Sequence, residues 1–458
     1  MKCLQIASGD FFSTYGGGQV YVKNIVDEMI RQGLDVAVLS FVGKDIAIEC
    51  NEYNGVSLWE VGTQAKDSDI EELVRTISPN IIHAHSQKAL FASLGERLGI
   101  PVIVTAHHGG ILCPAGTLMN ADDQICQTTG SHAHCLKCCL ANIRTGRVWY
   151  PMMRLLPENA YVKLGRALKK LPFIPFVTPV GGAALSIQNK MAEWGMICDK
   201  ATQIIAPSNA IAEAMGRNGL SRDKVMVIPH GIPKAAFPLN CHPEHSEGFL
   251  NQSERFFLPN GCLNDKNEVS DSGILKEERK ICFFYVGRIC RVKGVHVLLE
   301  AFNGLSTPDK AELHIIGGAG NKGEQRYMDE LQHHYRTSNI VWHGKVAPDK
   351  VFDTIKDFDV MAHPTICLEI FGLNIAEALA MNKPVLATRC GGAEMQIREG
   401  VNGWLVTPND VEELRTKMNE IVDNGISFNL SCLSDGVRSI ESHVNQLVSF
   451  YTNILNSK

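Results

Sequence analysis

No stretch of this chain strings together the ~18 apolar residues that a bilayer requires, so nothing in it is expected to span a membrane. No export signal is expected either: "MKCLQIASGDFF" carries one lysine and a short apolar run, and it reads as a first core strand. There is no excess of positive charge. Lys and Arg number 44 against 49 Asp and Glu, a net charge of -5, so no basic field invites nucleic acid and none is expected as a partner. There is no internal repeat. "GDFFSTYGGGQ" lacks the G-x-G-x-x-G spacing of a nicotinamide-binding turn, and no acid stands at the next strand end to receive a ribose, which excludes a nicotinamide dehydrogenase.

Cysteine is abundant instead, at fifteen residues. An odd number of thiols scattered through a large chain without an export signal argues against a disulfide framework and fits a reduced, cytoplasmic setting. At 458 residues the chain exceeds what one core usually supports, so two domains of about 200 residues are expected. With 45% hydrophobic and 20% charged residues, both can bury a full core.

Short apolar runs alternate with amphipathic stretches. "KCLQIAS", "LDVAVLS", "NIIHAH", "IPVIVTA" and "QIIAPS" fill the first half, and "ICFFYVG", "ELHIIGG", "NIVWHG", "VMAHP" and "KPVLAT" the second. Runs apolar on both faces and separated by helices mark parallel sheets covered on both sides, so the fold class is α/β, twice over. Val22, Ile25, Val26, Met29 and Ile30 follow helical spacing up to Gly33, which makes "SGDFFSTYGGGQ" the loop at the carboxyl end of the first strand. Residues 234–278 are polar, turn-rich and aperiodic, the pattern of a flexible insertion near a domain boundary. Val437, Ile440, Val444, Leu447, Val448, Tyr451, Ile454 and Leu455 form one apolar stripe, so a C-terminal helix must dock on something. In 148–187, Lys163, Arg166, Lys169 and Lys170 lie beside apolar residues. That pattern is compatible with peripheral contact with an anionic membrane, but one basic cluster is common and a helix of the first domain with a solvated basic face is the simpler reading.

Two loops carry the chemistry. In "VGRICRVKG", Arg288 and Lys293 follow the strand "ICFFYV", and two cations at the carboxyl end of a parallel strand suit a diphosphate. In "HPTICLEIFGLNIAEALA", a strand ends at Pro364 and a helix begins near Gly372. The amides of Phe371, Gly372 and Leu373 then lie in a first helical turn, which favours a phosphate or a hydroxyl oxygen. Glu369 precedes that turn and can accept hydrogen bonds from sugar hydroxyls, while Glu377, inside the helix, can reach a ribose diol.

"EIFGL", "EALA" and "NKPVLAT" together resemble the E-x7-E segment of glycosyltransferase family 4, the retaining sugar-nucleotide enzymes of GT-B fold. The rest of the chain resembles that family in the same order. "YGGGQVYVKNIVDEMIRQGLDVAV" is similar to its glycine loop, with Gly16 and Gly17 in the matching places. "PNIIHAH" and "VIVTAHH" are similar to the next two strand ends, "VGRICRVKG" to the diphosphate-binding pair, "IIGGAG" with Gly317 to the glycine turn beside the base, and "GVNGWLVTPND" to a downstream loop.

The resemblance implies two Rossmann-like parallel-sheet domains facing a central cleft, with the C-terminal helix packing back on the first. Residues 1–230 would be the acceptor side, with a Cys-rich loop at 113–139; 279–430 would bind the donor and 431–458 form the last helix. It implies that Arg288 and Lys293 neutralise the leaving diphosphate without a metal, that Glu369 and the amides of 371–373 position the donor sugar, that Glu377 binds ribose, and that His107 sits near the transferred sugar. Gly16, Gly17 and Gly317 would approach the donor with their backbones. His108 stands where the family often has Asp, so either imidazole can take the role. Glu394 stands one place before the family's usual acid position, which Met395 fills, and its role is open.

Retaining transfer of a hexose from a nucleoside diphosphate sugar, UDP or GDP, to a glycan or lipid-linked acceptor in cell-surface polysaccharide or glycolipid synthesis is the implied activity, on the inner face of the cytoplasmic membrane. The alternatives are a non-catalytic sugar-nucleotide-binding partner, a nucleotide-sugar epimerase and a phosphorylase. Intact Arg288, Lys293 and Glu369 argue against the first, and the E-x-F-G segment beside an R…K pair against the others. Cys113, Cys126, Cys135 and Cys138, with His132 and His134 nearby, are spaced like the ligands of a structural zinc, and some bacterial members of the family carry a similar pattern. Free thiols are the competing account.

Overall fold

The computed structural model of the chain describes residues 1–12, 16–141, 146–169, 178–233, 236–237, 279–347, 350–426, 428, 433–434 and 436–457. The polar insertion anticipated at 234–278 lies outside them, apart from Ala236 and Phe237, and so does Lys170.

The first half builds one sheet from β1 (Lys2–Ser8), β2 (Asp35–Phe41), β3 (Ile48–Tyr53), β4 (Val56–Val61), β5 (Ile81–Ala84), β6 (Val102–Thr105), β7 (Gln203–Ala206) and β8 (Val225–Val227), in the spatial order β3-β4-β2-β1-β5-β6-β7-β8. The second half builds another from β9 (Ile281–Val286), β10 (Ala311–Ile316), β11 (Ile340–Gly344), β12 (Val360–His363), β13 (Val385–Thr388) and β14 (Gly403–Val406), in the order β11-β10-β9-β12-β13-β14. Both are parallel except for the β3–β4 pair. That hairpin turns through Asn54 and Gly55, both at positive φ, which a two-residue turn of this hand requires. The apolar-run reading passes over it because most of β3 is exposed, leaving the Asn-Gly pair as its signal.

In each sheet the chain winds outward one way and then crosses to the other side of its first strand. The reversals lie between β1 and β5 and between β9 and β12. Such switch points open a crevice at the carboxyl ends of the strands. Every apolar run named from the sequence is a strand here because helices cover both faces, leaving Leu4, Ile6, Val38, Phe283 and Leu313 among the buried core.

From β8 the chain crosses to the second sheet and later returns. The two crossings are hydrogen-bonded to each other, Ile232 N–H to the carbonyl of Arg438 at 3.0 Å and Ile440 N–H to that of Ile232 at 2.8 Å. The helix Ile440–Asn456, capped by Ser439, then packs on the helix Gly17–Arg31 and the first sheet, as the apolar stripe demands. Val444, Leu447 and Tyr451 are fully buried there, contributing roughly 1.5–3 kcal/mol each. His443 and Val437 refine the stripe: His443 is buried within the helix, whereas Val437 precedes it and joins the second half's core.

Candidate active site

Lys293 and Glu369 meet at the second sheet's switch point. Lys293 ends a 3-10 turn after β9, and Gly294 follows it at φ +69°, where a Cβ would stand 1.8 Å from the Pro364 carbonyl oxygen. Only glycine allows the two loops to approach so closely. Lys293 Nζ donates directly to Glu369 Oε2. The buried His363, at the end of β12, is 3.2 Å from the same oxygen. Asn374 Nδ2 faces His363 Nδ1 at 3.4 Å, and Asn374 also donates to the Val286 carbonyl, so the imidazole proton sits on Nε2, which faces Thr365 Oγ1 at 3.0 Å as well as the carboxylate. Burial alone would raise the Glu369 pKa, but Lys293 and His363 outweigh it and hold the carboxyl well below the usual range. Burial likewise opposes the charge on Lys293, and Glu369 more than restores it. The result is a fixed, ionised carboxylate beside a fixed ammonium.

The helix Leu373–Ala380 starts at Gly372, whose φ is +83°. Among the described residues, the amides of Phe371, Gly372 and Leu373 donate to no backbone carbonyl. Phe371 is buried, its carbonyl held by Gln396 Nε2, and Leu373 packs beneath Gly17 of the opposite lobe. Glu377 points its carboxyl into a shielded position with no protein donor among the described residues, and burial pushes it up to about 7. Arg288 does not join Lys293; its ion pair is with Glu324, 3.7 Å away, which in turn accepts from the Gly320 amide. Gly317 lies in that same turn, against the Gly287 carbonyl.

Across from this crevice lies the glycine loop. Gly16 precedes the helix Gly17–Arg31, and Gly18 lies against His107, where an added Cβ would meet that side chain at 3.4 Å. His107 belongs to a chain of buried groups that fixes its tautomer. Gln5 Nε2 faces Met29 Sδ, which can only accept, so Gln5 Oε1 takes the Nε2 proton of His85 at 2.8 Å. Burial keeps both His85 and His107 neutral, well below their ordinary pKa. His85 Nδ1 therefore accepts from His107 Nε2–H at 2.8 Å, and His107 Nδ1 is left as a bare, buried lone pair. The Tyr21 ring lies tilted against His230 with centroids 3.9 Å apart, and His230 meets Phe371 edge-on at 5.1 Å, which joins this chain to the other lobe.

Glycosyl transferases group 1 is the family whose model matches residues 266–431, and Glycosyltransferase Family 4 matches residues 15–121, together more than half of the sequence. The chain belongs to glycosyltransferase family 4. Curated relatives include a sucrose synthase of Acidithiobacillus caldus, 29% identical over 33% of this chain and 21% of that protein. Another is a D-inositol 3-phosphate glycosyltransferase of Corynebacterium urealyticum, 32% identical over 37% of this chain and 42% of that protein. The matched part thus spans less than half the length of either. Among solved structures, Anabaena Alr3699/HepE in complex with UDP superposes with a TM-score of 0.63 at 17% identity, covering 99% of this chain and 100% of its own. That likeness establishes the GT-B fold.

For a family 4 chain, several members of the site were not legible as motifs. His85 and His363 appear in the sequence only as strand-end histidines, and Glu324 lies in a polar helix with no spacing to mark it. Glu394 plays a plain structural part, since its carboxylate accepts from the Gly391 amide at 2.9 Å and caps its own short helix. In the cysteine corner, Cys135 is pushed up to about 11 by burial first and by the neighbouring Cys113, Cys138 and Cys126 next. The thiols border one another but are not gathered as ligands: Cys135 and Cys139 pack into an apolar cluster, and Cys126 Sγ faces His134 Nε2 at 3.4 Å. A cavity of about 730 Å³ lies away from Glu369, between 122–125 and 407–412. It is open space beside the cysteine loop, and none of the charged groups of the switch point lines it.

Proposed function

We propose that this chain transfers a hexose from a nucleoside diphosphate sugar to a glycan or lipid-linked acceptor with retention of configuration. The observation that carries this is the Lys293–Glu369–His363 cluster, seated at the second switch point beside a helix start with free amides and opposite the glycine loop and His107. UDP is the first nucleotide to test, because the Anabaena neighbour was solved with UDP and with UDP-glucose.

In this mechanism Lys293 and Arg288 take up the charge of the departing diphosphate, so no metal is required. Arg288 swings from Glu324, a small motion for a side chain that is 57% exposed. Glu369 and the amides of 371–373 hold the donor sugar, Glu377 accepts from the ribose diol, and the bare Nδ1 of His107 accepts from a sugar hydroxyl. The amides of Gly16 and Gly17 approach the distal phosphate, and Gly317 lines the base. An oxocarbenium-like centre forms as the diphosphate leaves, and the acceptor hydroxyl attacks the same face. Preorganised donors aimed at the leaving oxygens supply most of the acceleration.

A lipid-linked acceptor is supported by the helices Gly146–Met153 and Glu158–Lys169. Val148, Met152 and Leu164 on these helices and Leu155 between them are exposed, as are Lys163 and Arg166, and no helix among the described residues is long and apolar enough to cross a membrane. Binding to anionic but not neutral vesicles is the expected result. For the cysteine corner we propose a structural zinc on Cys113, Cys126, Cys135 and Cys138, which would draw together thiols that now only border one another. Metal analysis finding no zinc in protein purified without chelator refutes it.

The test of the main proposal is thermal stabilisation by UDP, GDP and ADP. A nucleotide at 100 times its dissociation constant adds about 2.7 kcal/mol to stability. One nucleotide should stabilise the protein and lose its effect in Arg288→Ala; stabilisation by none of the three refutes the donor site.

A further inference from the structure

The second sheet carries a cluster that glycosyl transfer leaves unused. Cys282 is the second residue of β9 and Glu312 the second of β10, and the parallel register sets them directly opposite. His314, two residues beyond Glu312, shares its face of the sheet. One ligand atom from each of Cys282, Glu312 and His314 lies within 4.8 Å of the other two, the one such trio found among the described residues.

Three neighbours orient these atoms. Lys280 Nζ holds Glu312 Oε1 at 2.9 Å, which turns Oε2 to within 3.6 Å of His314 Nε2. His343, on β11, places its Nε2 at 3.0 Å from His314 Nδ1. Phe358 stacks on the His314 ring with centroids 4.1 Å apart, which fixes its plane. His314 Nε2 is thereby buried beside a carboxylate and a thiol, without a hydrogen-bond partner. A buried imidazole nitrogen left this way is costly unless something coordinates it.

We propose that Cys282 Sγ, Glu312 Oε2 and His314 Nε2 bind a divalent transition cation, zinc before the others, with a fourth position open to water. Three protein ligands with mixed sulfur, nitrogen and oxygen donors match zinc and disfavour magnesium and calcium, which take oxygen alone. His343 is the outer partner that orients the ligating imidazole and keeps its coordinating nitrogen unprotonated. The cluster sits near the amino ends of β9 and β10, whereas Lys293 and Glu369 lie beyond the carboxyl ends of β9 and β12, so the ion would act as a clip across the strands rather than in glycosyl transfer. This inference does not depend on the donor-site proposal.

Cobalt titration of the metal-free chain tests it through the thiolate-to-cobalt charge-transfer band. Because other cysteines can bind cobalt, the decisive quantity is the difference between the wild type and Cys282→Ala. One equivalent should be lost, with the same loss in His314→Ala, and the affinity should fall about 10- to 100-fold in His343→Ala. Glu312→Gln, a change at a half-exposed position, gives the same information if a core variant fails to fold. Zinc should raise the melting temperature of the wild type more than that of Cys282→Ala. Equal stoichiometry and affinity in the wild type, Cys282→Ala and Glu312→Gln overturns the site.

Discussion

Replacing Glu369 with Gln removes a charge that Lys293 and His363 both face, and its consequence can be worked from the geometry. The side chains retain 26% exposure at Lys293 and 13% at Glu369, so the pair is largely desolvated. Removing one member of such a pair strands the other charge at a cost of roughly 3–5 kcal/mol. Residual water around Lys293 places the expected loss near the lower end, about 3 kcal/mol. For a lobe of this size that corresponds to a fall in melting temperature of about 6–12 °C. Lys293→Met should cost a similar amount, because it strands the carboxylate. The double variant Lys293→Met/Glu369→Gln should lose clearly less than the two singles together, with a coupling of about 2 kcal/mol.

The pH dependence has a definite sign. The Glu369 pKa is depressed in the fold, so its contribution is complete above the unfolded value near 4.5 and disappears only as pH falls through the lower folded value. Wild type and Glu369→Gln should therefore differ by a constant amount from pH 6 to 8 and converge in acid. Thermal melts at several pH values are the assay. Additive losses, or a Glu369→Gln protein that melts within a degree of wild type at pH 7, would refute the paired-charge account.

Glu377 behaves oppositely: burial raises its pKa to about 7, so stability is lost as pH rises from the unfolded value near 4.5, and the loss is complete above about 7. Glu377→Gln should be the more stable protein at pH 8 and converge with the wild type only below about pH 4, while its nucleotide affinity falls and no longer rises with pH between 6 and 8. Gln5→Leu removes the acceptor that sets the His85 and His107 tautomers; turnover should drop about tenfold and the donor KM should rise, since the His107 Nδ1 lone pair that accepts from the sugar hydroxyl is no longer assured. Gly294→Ala forces a Cβ onto the Pro364 carbonyl at positive φ, and failure to accumulate folded protein is the expected outcome on expression. Tyr451→Phe leaves His83 Nδ1 without its hydroxyl partner, 2.5 Å away in the wild type, and should cost about 1–3 kcal/mol in a denaturant titration.

Much of this molecule was legible in one dimension. A parallel strand buried on both faces is apolar at most positions, so β1, β6, β9, β12 and β13 announce themselves as runs, and the C-terminal helix as a stripe. The segment from Cys367 to Ala380 was legible because the strand end at Pro364 and the helical spacing of Ile375, Ala376, Leu379 and Ala380 bracket a helix start, where Gly372 sits at φ +83°. The edge hairpin β3–β4 escaped because an exposed strand has no hydrophobic signature. Glu394 attracted attention as a displaced acid, yet a carboxylate at the third position of a helix can simply cap it.

What the sequence determined by itself is the double α/β pattern, the loops that end at Lys293 and Glu369, and the apolar face of the last helix, because each depends on residues near one another along the chain. Partnership was decided only in three dimensions. Strand order brought β12 beside β9, so His363 and Lys293 share one carboxylate, and it brought β10 beside β9, so Cys282 faces Glu312. The tautomer of His107 depends on Gln5, Met29 and His85, residues up to about a hundred positions apart whose hydrogen-bonding roles exist only once burial has removed water as an alternative partner. Spacing along a chain cannot encode that, because a buried polar group takes its role from whatever the fold leaves within reach.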